Sequence, residues 1–157
     1  MIFVTLGTHE QPFDRAVDLV ATLARNDRVL VQHGATPPRP GLSGVEWSEY
    51  LDWEPLVARM READVVVTHA GVGSAVTAIR AGKKPVLVPR LARYGEHVDD
   101  HQLQLAERLA EFGLAVVCTP EAHLYGLVAE ARASTSGFAA DRHSVLARAV
   151  AGVALGG

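Results

Sequence analysis

What is scarce in this chain excludes more than what is plentiful. One of its 157 residues is cysteine, Cys118, so no internal disulfide can form. A lone thiol is the usage expected of a reducing compartment. Basic side chains are not in excess: 15 Lys and Arg against 18 Asp and Glu leave a formal net charge of −3. That gives no electrostatic footprint for nucleic acid. No apolar run reaches the ~20 residues of a membrane-spanning helix. Met1-Ile2-Phe3-Val4 has neither the charged start nor the cleavage site of a secretory signal. These absences point to a soluble domain, expected in the cytoplasm. A chain of this length buries roughly 70% of the surface its unfolded form exposes, enough for one core without metal or disulfide. It is too short for two domains of ordinary size.

Val, Ile and Leu gather in short runs at 2–6, 29–32, 65–68, 86–88 and 114–117. The runs are almost unbroken rather than alternating, the pattern of parallel strands covered on both faces. A weaker run at 45–50 follows the turn-rich Pro37-Pro38-Arg39-Pro40-Gly41. Helical spacings lie between the runs. Phe13, Val17, Val20 and Ala24 fall on one face, and Thr8 with Gln11 makes a capping-box pattern ahead of them. Residues 74–81 end at Gly82 and residues 97–112 at Gly113, both good helix stops. This alternation predicts an α/β, doubly wound parallel sheet of about six strands, Rossmann-like in layout. It is expected to occupy residues 1–133. Residues 134–141 are poor in large apolar side chains and read as a linker. Beyond it, Val145, Leu146, Ala149, Val150 and Val153 set one apolar stripe on a terminal amphipathic helix.

Ligands of open parallel sheets sit beyond the carboxyl ends of the strands, where helix N-termini bring free N–H groups and positive dipole. Three loops at such ends are rich in Gly and polar groups. They are Gly7-Thr8-His9-Glu10, then His69-Ala70-Gly71-Val72-Gly73-Ser74, then the stretch from Arg90 through Tyr94-Gly95-Glu96-His97-Val98-Asp99-Asp100 to His101-Gln102. The second carries the most chemistry. Its glycines let the backbone approach an anion, a helix starting near Ser74 aims N–H donors at it, and Ser74 and His69 add side-chain donors. The set suits a diphosphate; the bland reading is a tight turn with a capping serine. A dinucleotide fingerprint is incomplete, because Val76 stands at the third glycine and the following strand ends in Pro89-Arg90 rather than an acidic residue. His97 and His101 at helical spacing, with Asp100, raise a metal site, but no third ligand is evident. No metal and no cofactor is expected.

Taken in order, these loops resemble the C-terminal, donor-binding domain of GT-B glycosyltransferases, family 28-like. The resemblance runs over about residues 1–128, through 63–74, then Gly82-Lys83-Lys84-Pro85-Val86-Leu87-Val88-Pro89, then Asp100-His101-Gln102. Within it the chain is most similar to small stand-alone subunits that work with a membrane-bound partner. One kind extends the dolichol-linked oligosaccharide with N-acetylglucosamine. Others serve bacterial capsule and exopolysaccharide synthesis and share 3–11 and 94–102 almost letter for letter. The resemblance implies that His69, Gly71, Val72, Gly73 and Ser74, with Gly7 and Thr8, hold the diphosphate of a UDP-sugar. It implies that His101 and Gln102 bond the sugar hydroxyls, and that Tyr50 or Leu51 lies under the uracil. Many members carry a glutamate for the ribose where Thr77 stands here, and an asparagine where Leu105 stands.

On that resemblance the activity is an inverting, metal-independent transfer of a hexose or N-acetylhexosamine to a lipid-linked saccharide. The membrane-anchored partner supplies the acceptor site and holds the chain at the inner face of the membrane. The base belongs to the absent half, and His9 and Glu10 are the candidates on this chain; the competing reading is that they cap the first helix. In such enzymes the last helix commonly crosses to the other domain, so the terminal stripe is expected to dock the partner. The rival function is a non-catalytic, regulatory nucleotide-sugar-binding subunit. A sugar-nucleotide epimerase shares the fold but needs both domains in one chain.

Overall fold

The computed structural model describes residues 1–135, 138 and 142–154, excluding the side chains of 153 and 154. The apolar runs form six strands: β1 (Ile2–Thr5), β2 (Val29–Gln32), β3 (Val45–Ser48), β4 (Val65–His69), β5 (Val86–Val88) and β6 (Val116–Val117). All pair in parallel, in the order β3-β2-β1-β4-β5-β6. This is the doubly wound order in which the winding reverses between β1 and β4. The helices are α1 (Asp14–Leu23), α2 (Trp53–Glu62), α3 (Val72–Arg80), α4 (His101–Glu111), α5 (Leu124–Thr135) and α6 (Arg142–Ala154). Among the described residues, no helix is long and apolar enough to cross a membrane.

Strand geometry sends alternate side chains to opposite faces, so unbroken apolar strands need cover on both. Ile2, Val4, Val29, Val31, Val65, Val67, Val86 and Val88 pack with Val17 and Val20 of α1 and Leu124 and Val128 of α5. On the opposite face, Leu87 joins Ala75 and Ile79 of α3, Leu105 and Leu109 of α4, and Leu146 and Ala149 of α6. Phe3, Leu30 and Val66 meet Met60 of α2 there. The expected stops hold. Gly82 N–H bonds Ile79 O at 3.0 Å and Lys83 N–H bonds Ala78 O at 3.1 Å; Gly113 and Leu114 repeat the pattern on Ala110 and Leu109, both at 2.9 Å. These paired bonds close each helix end by the Schellman arrangement.

Several boundaries differ from the sequence reading. Thr8 and Gln11 do not cap α1, and neither do His9 and Glu10. The helix begins at Asp14 behind Phe13, without a side-chain cap, and Phe13 N–H donates instead to Thr36 Oγ1 at 3.1 Å. Helix α3 begins at Val72, so Ser74 is its third residue rather than its cap. Helix α4 begins at His101, four residues after the expected start at His97, because 95–100 is used as a loop. Helices α2 and α5 are additions. Met60 is the one fully buried residue of α2, and α5 is built largely of small residues, so neither writes a strong apolar stripe. Ser134, expected in the linker, lies in the last turn of α5, and residues 136, 137 and 139–141 fall outside the described set.

The terminal stripe is engaged by this domain. Leu146 and Ala149 are buried, with Val145 and Val150 packed beside them; the side chain of Val153 lies outside the described residues. Leu146→Ala should therefore cost about 2–4 kcal/mol, the range for a leucine removed from a packed site. Denaturant melts test this, and removal of residues 142–157 should cost more; an unchanged midpoint would show that α6 is not part of the core.

Candidate functional site

The strand ends at the winding reversal bring the first two loops together. β4 ends in His69, Ala70 and Gly71 make the turn, and α3 starts at once. Gly71 sits at the N-cap and offers no side chain, so α3 has no side-chain cap. The first helical hydrogen bond is from Ala75 N–H to Gly71 O, 3.0 Å. Among the described residues, the N–H groups of Val72, Gly73 and Ser74 meet no protein acceptor. An open helix start of this kind favours negative charge, since the free donors and the dipole act in the same direction.

The His69 ring fills the space between Gly7 and Gly71. A Cβ on Gly71 would stand 2.7 Å from His69 Nε2, and one on Gly7 would overlap the same atom. Gly7 also has φ +78°, a left-handed conformation that a side chain resists. Its carbonyl accepts from Gln32 Nε2 at 3.3 Å, and Gln32 in turn takes the Thr5 hydroxyl. Thr68 Oγ1 lies 3.4 Å from His69 Nδ1, too long to fix which nitrogen holds the proton. Desolvation, then the positive charge of Arg90, and then His9 and His97 drive the His69 pKa down to about 3. The ring is therefore neutral at pH 7. His9 is shifted the same way, first by burial and then by Arg90 and His97.

Arg90, two residues after the end of β5, is 1% exposed. Its guanidinium donates to Gln11 O at 2.7 Å, Glu96 O at 3.1 Å and Leu6 O at 3.1 Å, and lies 4.6 Å from the Phe13 ring centre. Burial lowers its pKa to about 10, opposed by Glu96, so it remains a cation at pH 7. Glu96 is gripped through both oxygens by Arg15, at 2.9 and 2.8 Å. The rest of the third loop is stitched by its own side chains. Arg90 N–H donates to Gln102 Oε1 at 3.0 Å, Leu91 N–H to Glu96 Oε2 at 3.0 Å, and Ala92 N–H to Asp100 Oδ1 at 2.9 Å.

The remaining expected residues divide. Thr8 and Glu10 are exposed beside Gly7. The His9 ring stands edge-on to His97, centres 4.8 Å apart. Gln102 is buried with its oxygen committed to the loop, and its amide N–H₂ has no hydrogen-bond partner among the described residues. His97 and His101 do not share a helix face; both turn Nδ1 to Asp99 instead. Among the described residues, no three His, Cys, Asp or Glu side chains gather as a metal ion requires. Tyr50 is 53% exposed, whereas Leu51 packs against the Phe3, Leu30 and Met60 cluster. Thr77 is buried, and its hydroxyl is donated to Gly73 O at 2.6 Å. It borders a cleft of about 220 Å³ shared with Trp53, Val57, Arg61, Arg80 and Ala81. Sequence reasoning missed the exposed Trp53 and the structural weight of Arg90 and Glu96. A cation two residues after an apolar strand was the only available signal.

With this geometry in place, comparison with known proteins gives a consistent family. The chain matches the glycosyltransferase family 28 C-terminal domain over residues 1–150 and belongs to that family. It is similar to the UDP-N-acetylglucosamine transferase subunit ALG13 of Yarrowia lipolytica, 31% identical over 124 residues, covering 69% of this chain and 60% of that one. The human protein of the same name is 28% identical over 169 residues, covering 99% of this chain and 14% of its own. The chain thus spans less than two thirds of these relatives. The fold is shared with the kitacinnamycin glycotransferase (TM-score 0.70, 21% identity, 97% of this chain and 39% of that one). It is also shared with the calicheamicin glycosyltransferase CalG4 (TM-score 0.66, 20% identity, 94% and 39%).

Two outcomes follow. Gly7→Ala should destabilise by about 2–4 kcal/mol, from positive-φ strain plus displacement of the His69 ring. Adding His69→Ala should recover the steric part, as read from denaturant midpoints. The second concerns acid. His69 is lowered in the folded state, so below pH 6.5 the unfolded chain takes up a proton that the folded chain refuses until about pH 3. Stability should fall with falling pH across that window, by up to about 1.4 kcal/mol per pH unit for one such group. His9 adds in the same direction, and His69→Asn should flatten the slope.

Proposed function

We propose that this chain is the donor-binding subunit of a glycosyltransferase that moves a hexose or N-acetylhexosamine from a UDP-sugar to a lipid-linked saccharide, with a membrane-anchored partner completing the cleft. One observation carries the reading: the uncapped start of α3 at the winding reversal, bordered by Gly7, His69 and Gly71. In this reading the Val72, Gly73 and Ser74 N–H groups, the Ser74 hydroxyl and the Gly7–Thr8 turn take the diphosphate oxygens. The nearby Arg90 cation adds favourable potential although carbonyls already engage its N–H groups. Preorganised donors of this kind stabilise a departing diphosphate without a metal ion or cofactor.

The donor sugar then lies toward the start of α4, within the domain of His101 and the Gln102 amide, and the uridine lies over Tyr50, Leu51 and Thr77. His9 is the better of the two base candidates on this chain, because its lowered pKa keeps a neutral imidazole available; Glu10 is exposed. The relatives named as transferase subunits support a two-component enzyme, and membrane attachment at the cytoplasmic face comes through the partner. Exopolysaccharide synthesis is the setting the sequence resemblance favours. The alternative is a regulatory subunit that binds nucleotide sugar without turnover; in either reading the Thr77 hydroxyl is spent on Gly73 O, which leaves the ribose a weak grip.

Calorimetry on the isolated chain should detect UDP and UDP-sugar but not NAD or ATP. Ser74→Ala should weaken UDP by about 1–2 kcal/mol, the loss of one charge-assisted hydrogen bond. His101→Ala should weaken UDP-sugar and leave UDP nearly unchanged. Tight ATP or NAD binding without any response to UDP would refute the donor site, and robust transfer by the isolated chain would refute the need for a partner.

A further inference from the structure

The third loop holds one carboxylate between two imidazoles, and the reading above leaves it unused. Asp99 Oδ1 lies 3.1 Å from His97 Nδ1, and Asp99 Oδ2 lies 2.7 Å from His101 Nδ1. Oδ1 also accepts the His101 backbone N–H at 3.1 Å. That backbone bond, followed by the His101 side chain, holds the Asp99 carboxyl below its ordinary range, so it is ionised at neutral pH. An ionised carboxylate only accepts. A bare Nδ1 at these distances would set lone pair against lone pair, whereas Nδ1–H makes a charge-assisted bond. The one competing contact is weaker: Asp99 N–H points at His97 Nδ1 from 3.4 Å.

We propose that Asp99 is a positioning residue that fixes both His97 and His101, in their neutral form, as the Nδ1–H tautomer, so that each neutral ring presents a bare Nε2 acceptor on its side away from the carboxylate. The consequence is chemical selectivity. A lone pair repels a phosphate oxygen and receives an O–H, so this loop reads hydroxyl groups while the α3 start reads phosphate. The two rings differ in access, with side chains 19% exposed for His97 and 62% for His101. The more enclosed His97 stands against His9. A carboxylate on the far nitrogen is the device that orients imidazoles in catalytic and metal sites; here one carboxylate serves two rings. Assigning the hydroxyls to a donor sugar rests on the UDP-sugar reading, whereas the tautomers do not.

Long-range ¹H–¹⁵N NMR of the full chain at pH 7.5, without ligand, reads the tautomers directly. Signals are assigned with His97→Gln and His101→Gln. His33 is an internal reference, since its Nδ1 faces the carbonyls of Thr36 at 2.8 Å and Gly34 at 3.0 Å and must be N–H. Both loop histidines should show the Nδ1–H pattern. Asp99→Ala should move both toward Nε2–H, and Asp99→Asn should move only one, because an amide offers one acceptor and one donor; the His33 pattern should persist throughout. An Nε2–H pattern for either ring in the wild type, or no change in Asp99→Ala, would overturn the proposal. Asp99→Ala should also weaken UDP-sugar about 3- to 10-fold, the worth of one ordinary hydrogen bond, with UDP within about twofold. Equal losses would overturn the hydroxyl-reading role even if the tautomers respond. A wild-type chain that binds neither UDP nor UDP-sugar would instead remove the donor-site reading, and with it the sugar as source of the hydroxyls, while the ligand-free tautomer signals are judged separately.

Discussion

The buried guanidinium of Arg90 is the constraint on which the site depends. It sits between the ends of β1 and β5 and is bonded to carbonyls of Leu6, Gln11 and Glu96, which belong to the first and third loops. A buried cation is costly unless its donors are satisfied. Three carbonyls and the Phe13 face meet the two terminal nitrogens, while the buried Nε has no partner; among the described residues no carboxylate pairs with the guanidinium directly. The carboxylate nearest in sequence, Glu96, is committed to Arg15 and the Leu91 N–H. The result is a fixed positive centre at the winding reversal, held by neutral groups.

Burial, and after it that centre, set the protonation of its surroundings. His69 and His9 are both driven toward the neutral form, with desolvation the larger cause and Arg90 the next in each case. Charged imidazoles would compete with the cation for the same space. Keeping them neutral leaves one permanent charge and a set of dipoles, and dipoles held in place need no reorganisation when an anion arrives or departs. The third loop is different in kind: there a carboxylate, Asp99, faces the rings.

The sheet was legible because unbroken Val and Leu runs can satisfy two covered faces and little else. Gly7 and Gly71 stood out in the sequence as places where backbone could approach an anion, whereas the structure gives each a different constraint: a side chain there would strike His69. Boundaries were less legible where polar side chains serve loops instead of helices. His97 to Asp100 carry no helix breaker, yet Asp99 and Asp100 spend their oxygens on backbone N–H groups and hold the segment out of α4. Thr8 and Gln11 made a cap pattern by spacing alone, but Arg90 pins the Gln11 carbonyl elsewhere. Long-range bonds of this type leave no local signature. The roles of Arg90 and Glu96 could not be read from neighbours 79 to 84 residues away in sequence, the separations of Gln11 and of Leu6 from Arg90.

The stitched third loop has a consequence for how such a segment can change. Three consecutive backbone donors, at 90, 91 and 92, find acceptors on Gln102, Glu96 and Asp100 of the same segment. Its shape is thus written mostly within residues 90–102, like a cassette with its own fasteners. The Arg90 and Glu96 links reach outside, to Leu6, Gln11 and Arg15, and the His97 ring meets His9. Such a cassette can be inherited or exchanged as a block, whereas its letters can drift singly only at positions that fasten nothing, such as the exposed Val98.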